Sequence, residues 1–326
     1  MRKISPSFFL ISRFSLISHF SFLISHLNMS VIQLKNVTKK FGRSTALDNV
    51  TYSVEPGTVF ALLGENGAGK TTTIRILLGL CDPDAGTTSV LDLDSKKDDL
   101  AIRRRVGYVP EQPMLYEWMT PEEIGRFAAS FYPDGFWKTY CRLTESFELP
   151  LKTKIKSLSK GMKAKVSLSL ALAHDPELLI LDEPTSGLDP LVRRSFLESM
   201  VDRAASGKTV FLSSHQIGEV ERVADTIAIM RKSKIVLVEK LEELKATTHV
   251  ITATLSENAR RLSDGTPDFS APMEQIVQIQ SDNREVRVLG RHLAGAAESV
   301  LSSDPNVGRF EVRSPSLEEI FVAYIT

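Results

Sequence analysis

The sequence predicts an α/β protein: a mostly parallel sheet flanked by helices, with an antiparallel β subdomain, a helical subdomain and a small carboxy-terminal α+β domain. Three observations carry this. The runs TVFALLG, PELLILDEP and KTVFLSSH are continuous and apolar, as in strands buried on both faces, and helical patterns separate them. Ahead of all three, VIQLKNVTKKFG and ALDNVTYSVEPG alternate apolar and polar residues and break at Pro56-Gly57, which reads as antiparallel pairing. Past about Leu244 the texture changes to short strands and short helices.

The first 28 residues stand apart from all of this. SPSFFLISRFSLISHFSFLISHLN repeats a Ser-Leu-Ile-Ser-His theme, and Arg13, His19 and the serines interrupt the apolar centre that a signal peptide or membrane anchor needs. The leading expectation is that residues 1–28 lie upstream of the true start and that Met29 opens the first domain. A targeting or anchoring segment and an unstructured tail are the alternatives. The main domain is then expected over 29–240 and the accessory α+β domain over 241–326.

Within the main domain, TVFALLG ends in a Gly-rich turn, and KTTTIRILLGL follows with Ile74, Leu77 and Leu78 at helical spacing. From Lys96 to Pro150 the pattern is helical and loop-rich. There TPEEIGRFAASFY predicts a capped helix, with Thr120 as the cap, Pro121 first and Glu123 three residues on from the cap. DTIAIM and KIVLVE close the series of strands. In the accessory domain HVITATL, MEQIVQIQ, REVRVLG and GRFEVRS read as strands, and LAGAAESVLSS and SLEEIFVAYI as helices around a core of their own.

The composition narrows the function. Lys+Arg and Asp+Glu both number 40 among 326 residues, so the chain lacks the basic excess of a nucleic-acid binder. Cys81 and Cys141 make neither a metal cluster nor a disulfide framework, which suits a reducing compartment. No stretch from Met29 to Thr326 is long and apolar enough to cross a bilayer.

Two motifs carry chemistry. GENGAGKT, from Gly64 to Thr71, matches G-x-x-x-x-G-K-[ST] between a strand and a helix. Its glycines let backbone N–H groups wrap phosphates, with the helix N-terminus adding positive potential. Lys70 reaches the β- and γ-phosphates, and Thr71 can ligate Mg²⁺. In LLILDEP, Asp182 ends a buried strand where it can hold Mg²⁺ through water. Glu183 follows it and can polarise an attacking water as general base.

In order, the chain then carries GENGAGKT, Gln112 in VGYVPEQP, LSKGM from Leu158, LLILDEP, SGLD ending at Asp189, and His215 in LSSH. This ordered set resembles the ATP-binding-cassette ATPases over about Ser30 to Glu239. The family signature is usually Leu-Ser-Gly-Gly-Gln. Ser159 and Gly161 match it, while Lys160 and Met162 replace the first Gly and the Gln. The altered form is similar to that of members which power separately encoded permeases.

The resemblance implies ATP and Mg²⁺ as cofactors. It implies nucleotide contacts from Gly64, Glu65, Asn66, Gly67, Ala68, Gly69, Lys70, Thr71 and Thr72, adenine stacking on Phe41, and Gln112 at the Mg²⁺ beside Thr71 and Asp182. Ser159 and Gly161 would meet the γ-phosphate bound by a second cassette, Asp189 would organise the dimer interface, and His215 would join Glu183 in catalysis. It further implies a second ABC ATPase subunit, an integral membrane permease as partner, no nucleic acid, and a place on the cytoplasmic face of the membrane. Leu115, Tyr116, Trp118 and Met119 are expected to face the permease. The ending PSLEEIFVAYI is similar to exporter cassettes, so export is expected; an importer ATPase and a non-transport cassette are the alternatives.

Overall fold

The computed structural model describes residues 30–132, 134–185, 188, 190–256, 276–282, 285–292, 301–302 and 307–326. The segment 1–28 lies outside the described residues, as does most of the helix expected over LAGAAESVLSS.

β1 (Ile32–Phe41) and β2 (Ser44–Val54) pair as an antiparallel hairpin, and the chain breaks at Pro56-Gly57 before β3 (Val59–Gly64) as expected. β4 (Ala85–Val90) joins β1, and the two-residue β5 (Leu93–Asp94) completes an antiparallel sheet of order β2-β1-β4-β5. The sequence reading missed β4. AGTTSV is small and polar, and only Thr88 and Val90 of it are buried.

The second sheet has the order β10-β9-β3-β8-β7-β6. It consists of β6 (Val106–Val109), β7 (Leu178–Asp182), β8 (Thr209–Ser214), β9 (Thr226–Arg231) and β10 (Lys234–Lys240) around β3. All neighbours are parallel except β10 on β9. β3, β7 and β8 are buried at every residue, which is why their centres run apolar without alternation and polar residues stand only at their ends. β10 alternates between exposed and half-buried residues along the sheet's edge.

Two cores lie on the two faces of this sheet. Phe60 and Leu62 pack with β1, β2 and α1 (Lys70–Leu77), and the Phe60 ring stacks between Tyr52 at 5.4 Å and Phe211 at 5.6 Å. Val59, Ala61 and Leu63 point the other way, to Phe196 and Met200 of α6 (Pro190–Ala205) and Val220 of α7 (Ile217–Val223). Each large aliphatic side chain fully buried this way contributes about 1.5–3 kcal/mol.

A short α2 (Asp99–Arg105) precedes β6, and between β6 and β7 lies the helical subdomain. Its α3 (Pro121–Ala129) begins with the expected capping box: the Thr120 hydroxyl accepts from Glu123 N–H at 3.2 Å and the Glu123 carboxylate accepts from Thr120 N–H at 2.7 Å. Tyr140 of α4 (Phe136–Ser146) is fully buried and donates to the Pro121 carbonyl at 2.7 Å. α5 (Lys160–Leu172) follows, with Val166 and Leu168 facing inward.

α8 (Leu241–Thr247) leads into an antiparallel sheet of order β12-β13-β11-β14. Its strands are β11 (Thr248–Leu255), β12 (Ile276–Asp282), β13 (Glu285–Arg291) and β14 (Val307–Arg313), where four strands were expected. Ile251, Leu255, Val286, Val288 and Leu301 make a core of this sheet's own. The terminal helix α9 (Leu317–Ile325) differs: its Leu317, Ile320 and Phe321 are buried in the core of the parallel sheet, beside Val220 and Ile227.

Candidate functional site

The parallel register gathers the site. β3, β8 and β7 are neighbours pointing the same way, so the loop after Gly64, the pair Asp182-Glu183 and the segment after Ser214 emerge at one edge. The turn between β3 and α1 holds Gly67 at φ 82° and Gly69 at φ 117°, conformations that a side chain resists. A Cβ on Gly69 would also lie 2.4 Å from the Ala46 carbonyl oxygen. α1 then starts with no side-chain cap and no acidic residue in its first turn, which leaves its first N–H groups free for an anion.

Lys70 is 6% exposed, and its ammonium donates to the Gly64 carbonyl at 2.6 Å and the Glu65 carbonyl at 3.3 Å. Its Nζ also lies 3.1 Å from Glu183 Oε1, a charge contact outside hydrogen-bond geometry that leaves that buried oxygen without a donor. The other oxygen, Oε2, accepts from the His215 N–H at 3.2 Å and lies 2.8 Å from His215 Nδ1. A carboxylate only accepts, so Nδ1 carries the proton and Nε2 is the ring's outward nitrogen. Glu183 itself sits at φ 47°, a left-handed conformation costing about 1–2 kcal/mol. Its N–H is shared between the Ser213 carbonyl at 3.1 Å and hydroxyl at 3.2 Å.

Asp182 is 1% exposed and accepts the Ser213 hydroxyl at 2.6 Å. Tyr108 of β6 stands close enough to feel it: burial first, and then the Asp182 charge, push its phenol up to about 12 against a smaller effect of Arg75. Thr71 and Thr72 lie in the first turn of α1, and exposed Gln112 follows β6 at the same edge as Asp182.

Other expected residues sit farther out. Phe41 ends β1 and is 52% exposed, with the Lys39 ammonium 5.2 Å from its ring centre and held there by Asp84 at 3.0 Å. Ser159 and Gly161 begin α5, where the exposed Ser159 accepts from the Met162 N–H at 3.2 Å as helix cap. Asp189 falls outside the described residues.

The segment after Gln112 divides in two. Leu115 and Met119 turn inward against Ile124 and Ile155, so they belong to the helical subdomain's core. Tyr116 is 50% and Trp118 66% exposed, and they form an aromatic row with Phe127 and Phe131 at ring spacings of 6.0, 6.0 and 5.2 Å.

Two features escaped the sequence. One is Ser213. The other joins three elements: Glu219 of α7 accepts the Thr185 hydroxyl and meets Arg193 of α6 at 3.0 Å, while Arg193 donates to the Leu188 carbonyl at 3.2 Å. Register could have flagged Ser213; nothing local flags Glu219.

Comparison with known proteins bears on the family and the fold. The family profile described as ABC transporter matches residues 47–186. The uncharacterized ABC transporter ATP-binding protein YxlF of Bacillus subtilis is 32% identical over 309 residues, which span 90% of this chain and 99% of that one. The Nod factor export ATP-binding protein I of Paraburkholderia xenovorans is 36% identical over 63% of this chain and 69% of its own. Among solved structures, a dimeric ATP-binding cassette in a post-hydrolysis state bound to ADP and Pi superposes with a TM-score of 0.60 at 27% identity, over 64% of this chain and 98% of that one.

Proposed function

This chain belongs to the family of ABC transporter ATP-binding proteins, and from that premise we propose that it binds and hydrolyses ATP to drive export through a separately encoded membrane permease. The observation that carries the hydrolytic part is the buried Glu183 held between Lys70 and His215. His215 fixes Oε2, while Oε1 is buried and has no donor, so Oε1 is the atom suited to take a proton from water.

The residues fit ATP and Mg²⁺. The uncapped N-terminus of α1 and the buried Lys70 ammonium suit a triphosphate. Among the described residues no group of three or more His, Cys, Asp or Glu could cage a metal, and a site of Thr71, Gln112 and Asp182 beside phosphates is the kind Mg²⁺ uses. Bound there, Mg²⁺ would neutralise charge on the phosphates. Lys70 would hold those phosphates, Asp182 would serve the metal, Glu183 would take the proton from the attacking water, and His215 keeps Glu183 in place. Phe41 offers its free ring face to the base.

Exposed Ser159, at the uncovered start of α5, supports a head-to-tail pairing in which it meets the γ-phosphate of a second cassette. The hydroxyl and helix N-terminus on one side and Lys70 on the other would make the triphosphate part of the interface. The exposed row of Tyr116, Trp118, Phe127 and Phe131, which starts just past Gln112 and continues onto α3, is the surface for the permease's short cytoplasmic helix. The fit to relatives named for export supports the outward direction.

The test is recovery of tagged chain from gently solubilised native membranes, with its partners identified by mass spectrometry. A multi-span membrane protein in stoichiometric amount is the expected outcome. Recovery only from the soluble fraction, with no such protein, would overturn the transport reading, and ATP-dependent uptake lost on deletion of this chain would overturn export.

A further inference from the structure

We propose that Ser213 is the positioning residue that aims the Asp182 carboxylate at the metal and holds Glu183 in its left-handed turn. This rests on the reading of Asp182 as the carboxylate that serves Mg²⁺. In the parallel register Asp182 of β7 pairs with Ser213 of β8, so the two side chains are neighbours across one rung. Ser213 is wholly buried, directly after the apolar run Val210, Phe211 and Leu212. A hydroxyl placed there has to find partners, and it finds both members of the acidic pair.

The directions of these bonds are fixed. The Glu183 N–H donates to the Ser213 oxygen at 3.2 Å, so the hydroxyl's own proton goes to Asp182 Oδ1 at 2.6 Å. That is a short bond to a charged acceptor, the strong kind. One rotor thus sets the angle of a metal-serving carboxylate and, with the Ser213 carbonyl at 3.1 Å, the backbone of the neighbouring base. His215, two residues on along the same strand end, holds the Glu183 side chain. Ser213 and His215 therefore grip the two carboxylates from one element, Ser213 through the hydroxyl and His215 through ring and backbone. Groups that orient a metal's ligands without touching the metal typically change its affinity by about 10- to 100-fold when removed.

The experiment titrates a fluorescent, non-hydrolysable ATP analogue onto the full chain at stepped Mg²⁺ concentrations, with a chelator baseline. Ser213→Ala should move the Mg²⁺ midpoint up by about tenfold, leave binding in chelator unchanged, and lower turnover more than it raises KM for ATP. Ser213→Thr keeps the hydroxyl and should restore the midpoint. Ser214→Ala is the control: that buried hydroxyl accepts from the Gln216 N–H at 2.9 Å and touches neither carboxylate, so its loss should leave the midpoint in place. If Ser213→Ala does not fold, Ser213→Cys, a weaker donor of similar size, takes its place with the same expected direction. An unmoved midpoint in the folded Ala or Cys variant would overturn the role of Ser213. A parent chain whose nucleotide binding ignores Mg²⁺ would overturn the reading of Asp182, and the proposal with it.

Discussion

Replacing Glu183 by Gln separates geometry from basicity at the site. The amide keeps the carboxylate's shape, and its oxygen can still accept the His215 N–H now found at 3.2 Å. What vanishes is the charge and the ability to take a proton. General-base catalysis supplies about 10²–10⁴ in rate, or roughly 3–5 kcal/mol on the barrier. Nucleotide binding should not fall with it. Glu183 Oε1 faces Lys70 Nζ at 3.1 Å, a gross attraction of about 5 kcal/mol at an effective dielectric of about 20. Much of that offsets desolvation of the two buried groups, and neutralising Glu183 leaves the ammonium wholly to the phosphates. The variant should therefore bind ATP at least as tightly, turn over slowly, and accumulate as an ATP-bound dimer. Phosphate release measured beside light scattering of the eluting species in ATP and Mg²⁺ reads both halves. A turnover within about fivefold of the parent would show that another group activates the water.

Three further outcomes follow from contacts elsewhere. Phe321→Ala, at a side chain 6% exposed in the main core, should cost about 3 kcal/mol in denaturant unfolding; a loss under about 1 kcal/mol would mean that α9 is only draped on the surface. Glu219→Ala removes the ion pair of Arg193 and leaves it the Leu188 carbonyl, which should cost about 1–2 kcal/mol, and the double variant with Arg193→Ala should cost less than the two singles together by about 0.5 kcal/mol or more; strict additivity would refute the coupling. Glu319 is held down to about 2, first by the hydrogen bond from Arg313 and then by the Ser316 N–H and the charges of Arg313 and Arg287. A folded-state value below the unfolded 4.5 adds stability that is complete above 4.5 and fades as pH falls toward 2. The gap is nominally about 3 kcal/mol, reduced by solvent screening to about 1–2 kcal/mol for a side chain 26% exposed. Arg313→Ala should thus destabilise most near neutral pH, and a deficit that stays constant through that acid window would refute the assignment.

The strands β3, β7 and β8 were legible because burial on both faces gives each a central apolar run without alternation, with polar residues only at the strand ends. β4 and β6 were not: AGTTSV lacks large side chains, and VGYV is four residues inside a region of helical texture. Lys70, Asp182 and Glu183 announce themselves through motifs whose spacing is local. Ser213 does not, because a serine near the end of an apolar strand looks like any other, and only the pairing of β7 with β8 reveals what it faces. The segment after Gln112 shows the same limit. A loop has no period, so nothing in the residue order says that Leu115 and Met119 turn inward while Tyr116 and Trp118 stay exposed.

The position of α9 changes what the accessory sheet can be. A sheet with its own core, strung on after β10, would be a bead that could tilt without consequence for the nucleotide edge. Here its last helix packs on both bodies: Ala323 is buried with Val250 and Leu289 of the accessory sheet, while Leu317, Ile320 and Phe321 share a cluster with Val220 of α7. Arg231 of β9 fastens the end by donating to the carbonyls of Tyr324 at 3.3 Å and Thr326 at 2.8 Å. α7 begins two residues after His215, so the surface that α9 braces is the continuation of the segment that holds Glu183. Close-packed interiors pass displacement on because they have little free volume to absorb it. α8 reaches the same surface, with Leu241 and Leu244 in that cluster and Lys245 paired to Glu221 of α7 at 2.7 Å, so α8 and α9 together seat the accessory sheet against the helix that continues from His215.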